Sequence, residues 1–342
     1  MKTLKFGLIG CGRISKNHFE AIQQIPDAEF SAVADLDRSR AEHAAELYKI
    51  PAVYTDYMEM LETEKLNAVS ICTPSGMHPQ MGIDVASHKM NVITEKPMAI
   101  NIAAADALIK ACDKHKVHLF VVKQNRLNNT LQLLKSAMDK NRFGKIFLAQ
   151  SNVFWQRPQS YYASAKWRGT WEFDGGAFMN QASHYVDALC WLLGNVESVM
   201  AYTATMERRI EAEDSGCALL HFRSGSIASI NVTMLTYPKN FEGSITIIGE
   251  KGTVKVGGIA VNKIEKWEFD EYDDDDRMAL DANYQPPNVY GFGHTPYYHN
   301  VVDVLLGRAE PKTDGRDGRK SVEVIQAIYQ SAKMGKKISL PL

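Results

Sequence analysis

Nothing in this chain approaches the ~18 consecutive apolar residues of a membrane span, so a transmembrane protein is not expected. An excess of charge is also missing. Thirty-nine Lys and Arg face 40 Asp and Glu, a net charge of -1, which leaves no basic field for nucleic acid or anionic lipid. Cysteine is scarce. Cys11, Cys72, Cys112, Cys190 and Cys217 are odd in number and scattered, with no C-x-x-C pair. That pattern argues for reduced thiols, a cytoplasmic location and no metal site. The opening residues carry only a short apolar stretch and no small-residue cleavage site, so no signal peptide is expected. There is no internal repeat. With 45% hydrophobic and 23% charged residues, the chain reads as a soluble globular enzyme. Its 342 residues exceed the ~250–300 at which a single core stops growing, so two domains are expected.

The first third alternates apolar runs with helical patterns. Strands are expected at 4–9, 30–34, 68–72, 91–94 and 118–122, and helices at 13–25, 39–49, 57–62, 79–88 and 102–116. Such alternation predicts a doubly wound parallel sheet with right-handed crossovers, a Rossmann-type domain over residues 1–123. Beyond it the pattern changes. A helix at 129–140 leads into β segments at 146–154, 196–205, 215–222, 227–236 and 241–249. Turns at 223–226 and 249–252 suit antiparallel hairpins. Helices are expected at 181–193, 297–306 and 319–335. Residues 124–342 therefore read as an α+β domain with a large, open, mostly antiparallel sheet whose uncovered face is a candidate oligomer surface. The acidic run Asp273–Asp276 reads as a solvated loop.

Gly10-Cys11-Gly12-Arg13-Ile14-Ser15 follows a strand and opens a helix. Gly10 permits the tight turn, and Gly12 lets the backbone approach a pyrophosphate held by the helix N-terminus. Ser15 replaces the third glycine of the fingerprint. Asp35 ends the second strand, where a carboxylate accepts from both ribose hydroxyls and repels a 2′-phosphate. NAD is favoured over NADP.

Thr94-Glu95-Lys96-Pro97 follows apolar Val92-Ile93, so Lys96 sits at the carboxyl edge of the sheet. A lysine there can donate to a substrate hydroxyl. Partial burial beside a cationic nicotinamide would lower its pKa toward general acid–base range. With the earlier Cys72-Thr73-Pro74-Ser75-Gly76-Met77-His78, this stretch resembles the family of glucose–fructose oxidoreductase and inositol dehydrogenase, Gfo/Idh/MocA, across essentially the whole chain. The resemblance implies that Lys96 touches the reacting hydroxyl, that Pro97 is cis, and that Thr73, Pro74, His78, Glu95 and Gln124 line the cofactor. It also implies substrate contact at Asn180 and His184, which are four apart on one helical face. His184 matches the family histidine. Asn180 stands where an aspartate is usual, and an amide cannot take a proton, so the base is Lys96 or His184.

Further segments resemble a branch of that family that oxidises UDP-N-acetylglucosaminuronate at C3 for bacterial surface-polysaccharide synthesis. They are Lys123-Gln124-Asn125-Arg126, Tyr161-Tyr162, Lys166-Trp167-Arg168-Gly169-Thr170-Trp171, Gly293-His294-Thr295-Pro296-Tyr297-Tyr298 and Asp314–Ser321. Asn125, Arg126, Lys166, Trp167, Arg168 and Tyr298 are thus expected at the substrate, with arginine suited to its diphosphate and carboxylate. The likeness further implies reoxidation of NADH by 2-oxoglutarate and a homotetramer or dimer. An inositol or polyol dehydrogenase is the rival enzyme, and a non-catalytic NAD-binding sensor the rival of another class.

Overall fold

The computed structural model describes residues 3–285 and 291–342. The chain divides into two compact units, Met1–Lys123 with His294–Arg319, and Gln124–Gly293 with Lys320–Leu342. The boundary expected after residue 123 is present. The expected single second domain at 124–342 is not, because residues 294–319 pack with the first unit. Val121 and Thr313 explain this: the Val121 N–H reaches Thr313 O, the Thr313 hydroxyl donates to Val121 O, and Phe120 bridges Asp314.

The first unit runs β1 (Leu4–Ile9), α1 (Ser15–Ile22), β2 (Ala28–Ala34), α2 (Arg38–Tyr48), β3 (Ala52–Tyr54), α3 (Tyr57–Thr63), β4 (Ala68–Ile71), α4 (His78–Ser87), β5 (Asn91–Thr94), α5 (Ile102–His115) and β6 (Leu119–Val121). Its sheet has the order β3-β2-β1-β4-β5-β6, parallel throughout. β4 is buried at all four positions, as a parallel strand covered on both faces must be. The strand order reverses between β1 and β4, so the loops after those strands flank the crevice where ligands of such sheets bind. β3 was not apparent in the sequence; it is three half-buried residues at the sheet's edge.

The second unit contains α6 (Asn129–Asp139), β7 (Ile146–Phe154), α7 (Gln159–Ala163), α8 (Ser183–Leu193), β8 (Val196–Ala204), β9 (Ser215–Phe222), β10 (Ile227–Thr233), β11 (Glu242–Gly249), β12 (Gly252–Gly257), β13 (Lys263–Phe269) and α9 (Asp274–Asp281). The chain ends with α10 (His294–Leu305), α11 (Gly315–Met334) and β14 (Ile338–Ser339). The eight-stranded sheet has the order β13-β12-β11-β7-β10-β9-β8-β14, antiparallel except for the β7–β10 pair. On β9, Ala218, Leu220 and Phe222 are buried while Cys217, Leu219 and His221 are exposed, the period of two of a sheet covered on one face.

The expectation of a solvated loop at Asp273–Asp276 is corrected. Asp273 caps α9 through a capping box, and the next three acids fill its first turn, where negative charge suits the helix dipole. Lys140 pairs with Asp273 at 2.7 Å and Asp275 at 2.9 Å, and Arg142 with Asp276 at 2.7 Å.

Candidate functional site

In the first unit, Gly10 has φ +94°, and a Cβ there would lie 2.9 Å from the Cys72 backbone carbonyl. Only glycine takes that conformation and approach without strain. At Gly12 an added Cβ meets nothing within 4 Å, so open space lies against the start of α1. No side chain caps that helix start. Asp35 accepts the Cys11 N–H and the Asp37 N–H, each at 2.8 Å. The open glycine turn, the uncapped helix and a carboxylate closing β2 fit a dinucleotide bearing a free 2′-hydroxyl. Arg13 is exposed and Ile14 half-buried beside that turn. The Cys11 thiol is pushed up to about 12 by burial and by Asp35, so it is no nucleophile at neutral pH.

Thr73 and Pro74 follow β4. His78 ties their loop to the next one, with Nδ1 2.8 Å from Pro97 O and Nε2 2.8 Å from Thr73 O. Burial pushes its pKa down, although both carbonyls favour the charged ring. The Lys96–Pro97 bond is cis, and Lys96 is half-buried.

Glu95 is 6% exposed, and its carboxylate turns into the core. Oε1 lies 3.0 Å from His18 Nε2 and 3.6 Å from His294 Nε2, and Oε2 accepts the Lys96 N–H at 3.1 Å. Burial alone would raise its pKa, but the hydrogen bond from His18 and the nearby His294 ring hold it well below the usual carboxylate range. Tyr298, expected at the substrate, is corrected. It is fully buried, and its hydroxyl bonds His18 Nδ1 at 2.7 Å and Ser70 Oγ at 2.6 Å. Despite the expectation of no metal site, His18, Glu95 and His294 bring three donor atoms within 4.8 Å of one another.

In the second unit, a π-helical turn (Ala177–Gln181) precedes α8, and Asn180 and His184 lie on these two elements. Sequence reasoning missed what holds them. Glu213 Oε1 accepts the Phe178 N–H at 2.8 Å and the Tyr329 hydroxyl at 2.9 Å. The Tyr329 oxygen in turn accepts the N–H groups of Gly176 and Met179. A Cβ on Gly176 would lie 1.5 Å from Glu213 Oε2, which is why glycine stands there. Burial pushes Glu213 up to about 7.

Asn180 Nδ2 donates to Asp174 Oδ1, and Asp174 Oδ2 accepts the Gly169 N–H. Gln124 Nε2 lies 3.1 Å from His184 Nε2; the amide can only donate, so the ring nitrogen accepts. Gln124 Oε1 and Asn125 Oδ1 are buried without a hydrogen-bond partner. Such orphaned acceptors fit a ligand that brings donors. Lys166 and Trp167 line a cleft of about 320 Å³ with Thr170, Glu172, Phe173 and Glu211. Arg168 lies over the rings of Tyr161, at 4.2 Å, and Trp167, at 4.6 Å. Arg126 is corrected: it is 7% exposed, and its Nε and Nη2 grip Asp187 bidentately at 2.8 Å, a core ion pair rather than an open anion site.

Two models of one oxidoreductase family match the chain, the NAD-binding Rossmann fold at residues 4–123 and the C-terminal alpha/beta domain at 135–340. A D-apiose dehydrogenase from Paraburkholderia graminis is 26% identical over 99% of this chain and 90% of its own length. The WlbA dehydrogenase from Bordetella pertussis, in complex with NADH and UDP-GlcNAcA, is 54% identical with a TM-score of 0.97. That match covers 100% of this chain and 99% of the other. The WlbA dehydrogenase from Chromobacterium violaceum, in complex with the same two ligands, is 52% identical with a TM-score of 0.95, covering 100% and 97%. With both models matched and the glycine turn, Asp35 and Lys96 placed as described, this chain belongs to the Gfo/Idh/MocA oxidoreductase family and is an NAD-dependent sugar dehydrogenase.

Proposed function

We propose that the chain oxidises the 3-hydroxyl of a UDP-N-acetylglucosaminuronate-type nucleotide sugar to the 3-keto sugar, as a step in building bacterial surface-polysaccharide (O-antigen) precursors. The observation that carries this reading is the whole-length likeness, 54% identity at a TM-score of 0.97, to a dehydrogenase in complex with NADH and UDP-GlcNAcA. The second unit adds support. The cleft at Lys166 and Trp167 offers aromatic surface and one lysine, beside Glu172 and Glu211, and Arg168 lies over the Trp167 ring.

Gly10, Gly12, Arg13 and Ile14 would hold the cofactor's pyrophosphate, Asp35 its ribose, and Thr73, Pro74, His78 and Gln124 its other end. When bound, NAD supplies the hydride acceptor. The chain's own residues handle the proton. Asn180 is engaged as a donor to Asp174 and cannot be the base. The accepting nitrogen of His184 already takes a hydrogen bond from Gln124. Lys96 is therefore the stronger candidate to draw the proton from the 3-hydroxyl, with His184 and Asn125 orienting the sugar.

Further parts of the reading are a cytoplasmic enzyme, reoxidation by 2-oxoglutarate, and a homotetramer or dimer. No helix among the described residues is long and apolar enough to cross a membrane. The bare face of the eight-stranded sheet carries Ile227, Leu148 and Ile248 in one cross-strand row, 37–49% exposed, a surface suited to a second copy.

The test is single-turnover NADH formation with UDP-GlcNAcA, UDP-GlcNAc, myo-inositol and D-apiose offered separately. A burst confined to the UDP-uronate is the expected result. Bursts with free polyols and none with the UDP-uronate would replace this reading by the polyol dehydrogenase.

A further inference from the structure

We propose that His18 is a positioning residue for Lys96, acting through Glu95. The inference rests on the reading of Lys96 as the residue that meets the sugar hydroxyl.

The chain of contacts lies wholly in the first unit. Glu95 follows β5, His18 is on α1, Tyr298 on α10 and Ser70 on β4. His18, Ser70 and Tyr298 have no exposed surface. A carboxylate can only accept. Of the two hydrogen bonds into it, one comes from the Lys96 backbone N–H to Oε2 at 3.1 Å, the other from His18 Nε2 to Oε1 at 3.0 Å. Nε2 therefore carries a proton whether the ring is neutral or charged. In a neutral ring Nδ1 is the acceptor. It takes the Tyr298 hydroxyl at 2.7 Å, and that oxygen takes the Ser70 hydroxyl at 2.6 Å. The four side chains thus close a donor–acceptor sequence that ends on the Lys96 peptide.

The consequence falls on the amine. The Glu95 carboxylate has one oxygen on the helix α1 histidine and the other on the amide at the root of the lysine side chain. Loss of the His18 donor frees the carboxylate to turn, and the Lys96 peptide turns with it. Misplacing a reacting group by about 1 Å costs about 100-fold in rate. The other titratable groups facing Glu95 are His294 at 3.6 Å, with Tyr297, Cys72 and His78. None of these reaches the Lys96 amide in place of the carboxylate.

The test compares His18→Leu with His18→Gln, which keeps a donor at the Nε2 position. His18→Leu is expected to lower kcat about 10- to 100-fold, with KM for the sugar within about 3-fold and an altered pH profile of kcat. His18→Gln is expected to recover most of that loss. Hydrogen exchange in the peptide covering 92–98 should quicken in the Leu variant and not in the Gln variant. If His18→Leu does not fold, Tyr298→Phe decides: a lowered kcat at unchanged KM supports the proposal, and an unchanged kcat overturns it. Equal damage from Leu and Gln, with equal thermal stability, also overturns it. So does one tightly held zinc per chain whose chelation abolishes kcat, because the three donors would then be ligands. The exchange measurement needs no sugar. An inactive proposal for Lys96, seen as an active Lys96→Met enzyme, is therefore distinguishable from a failed role for His18.

Discussion

The two units hold their polar residues by opposite devices. In the first, a buried carboxylate, Glu95, faces two buried imidazoles and grips the backbone of Lys96 at a strand end. In the second, Asn180 lies in, and His184 just after, a π-helical turn whose backbone N–H groups are met by Glu213 and Tyr329. The carboxyl end of β5 offers one N–H, that of Lys96, and a single ionised carboxylate holds it. A turn entering a helix leaves several N–H groups unmatched, so acceptors can hold it instead. The carboxylates differ accordingly: Glu95 is kept ionised, whereas Glu213 is pushed up to about 7.

The largest expected effect removes the reactive group itself. Lys96→Met keeps the side chain's length and loses the amine. Single-turnover NADH formation should fall by about 1,000-fold or more, toward the upper part of the usual range of about 100- to 10,000-fold for losing one general acid–base group, because orientation of the hydroxyl is lost too. A Met variant at wild-type rate would break the comparison on its first side.

Next comes the ion pair beneath His184. Arg126 and Asp187 are both buried and joined by two hydrogen bonds of 2.8 Å. Asp187→Asn strands a buried guanidinium and should cost about 3–5 kcal/mol, read from urea unfolding. A cost below ~1 kcal/mol would mean the arginine escapes to an outside partner.

Much of the first unit was legible because its signals are local. Strands at 4–9 and 91–94 coincide with β1 and β5, and 146–154 and 215–222 with β7 and β9. Gly10, Gly12 and Asp35 are recognisable by spacing from one strand. What failed depended on partners far along the chain. Tyr298 lies 280 residues from His18, and Tyr329 lies 116 from Glu213. Tyr298 and Arg126 carry groups suited to substrates, and only burial reveals that they serve the core. β13 was missed because Lys-Ile-Glu-Lys-Trp-Glu-Phe has no fully buried position and hence no apolar rhythm.

The contrast between the carboxylates predicts opposite pH behaviour. Glu213 has a folded pKa raised to about 7 from 4.5. Its contribution to stability is fully present below pH ~4.5 and is lost as pH rises through about 7, an amount of about 3 kcal/mol. Glu95, held low, acts the other way: its contribution is present above the usual carboxylate range and is lost as pH falls through its folded value. Urea unfolding at pH 5 and pH 8 should therefore show a smaller difference in Glu213→Gln than in wild type. An identical difference in both proteins would remove the distinction.

The smallest effect sharpens the second device. Tyr329→Phe deletes one hydroxyl that accepts from Gly176 and Met179 and donates to Glu213. Two N–H groups lose their acceptor, but Glu213 still takes the Phe178 N–H, so the turn loosens rather than opens. The expected cost is about 1–2 kcal/mol in urea unfolding. Hydrogen exchange should quicken over 176–181 and stay unchanged over 92–98. That confinement carries the argument, because the Lys96 peptide has its own anchor in Glu95. Equal quickening of both segments would mean that the two devices are one.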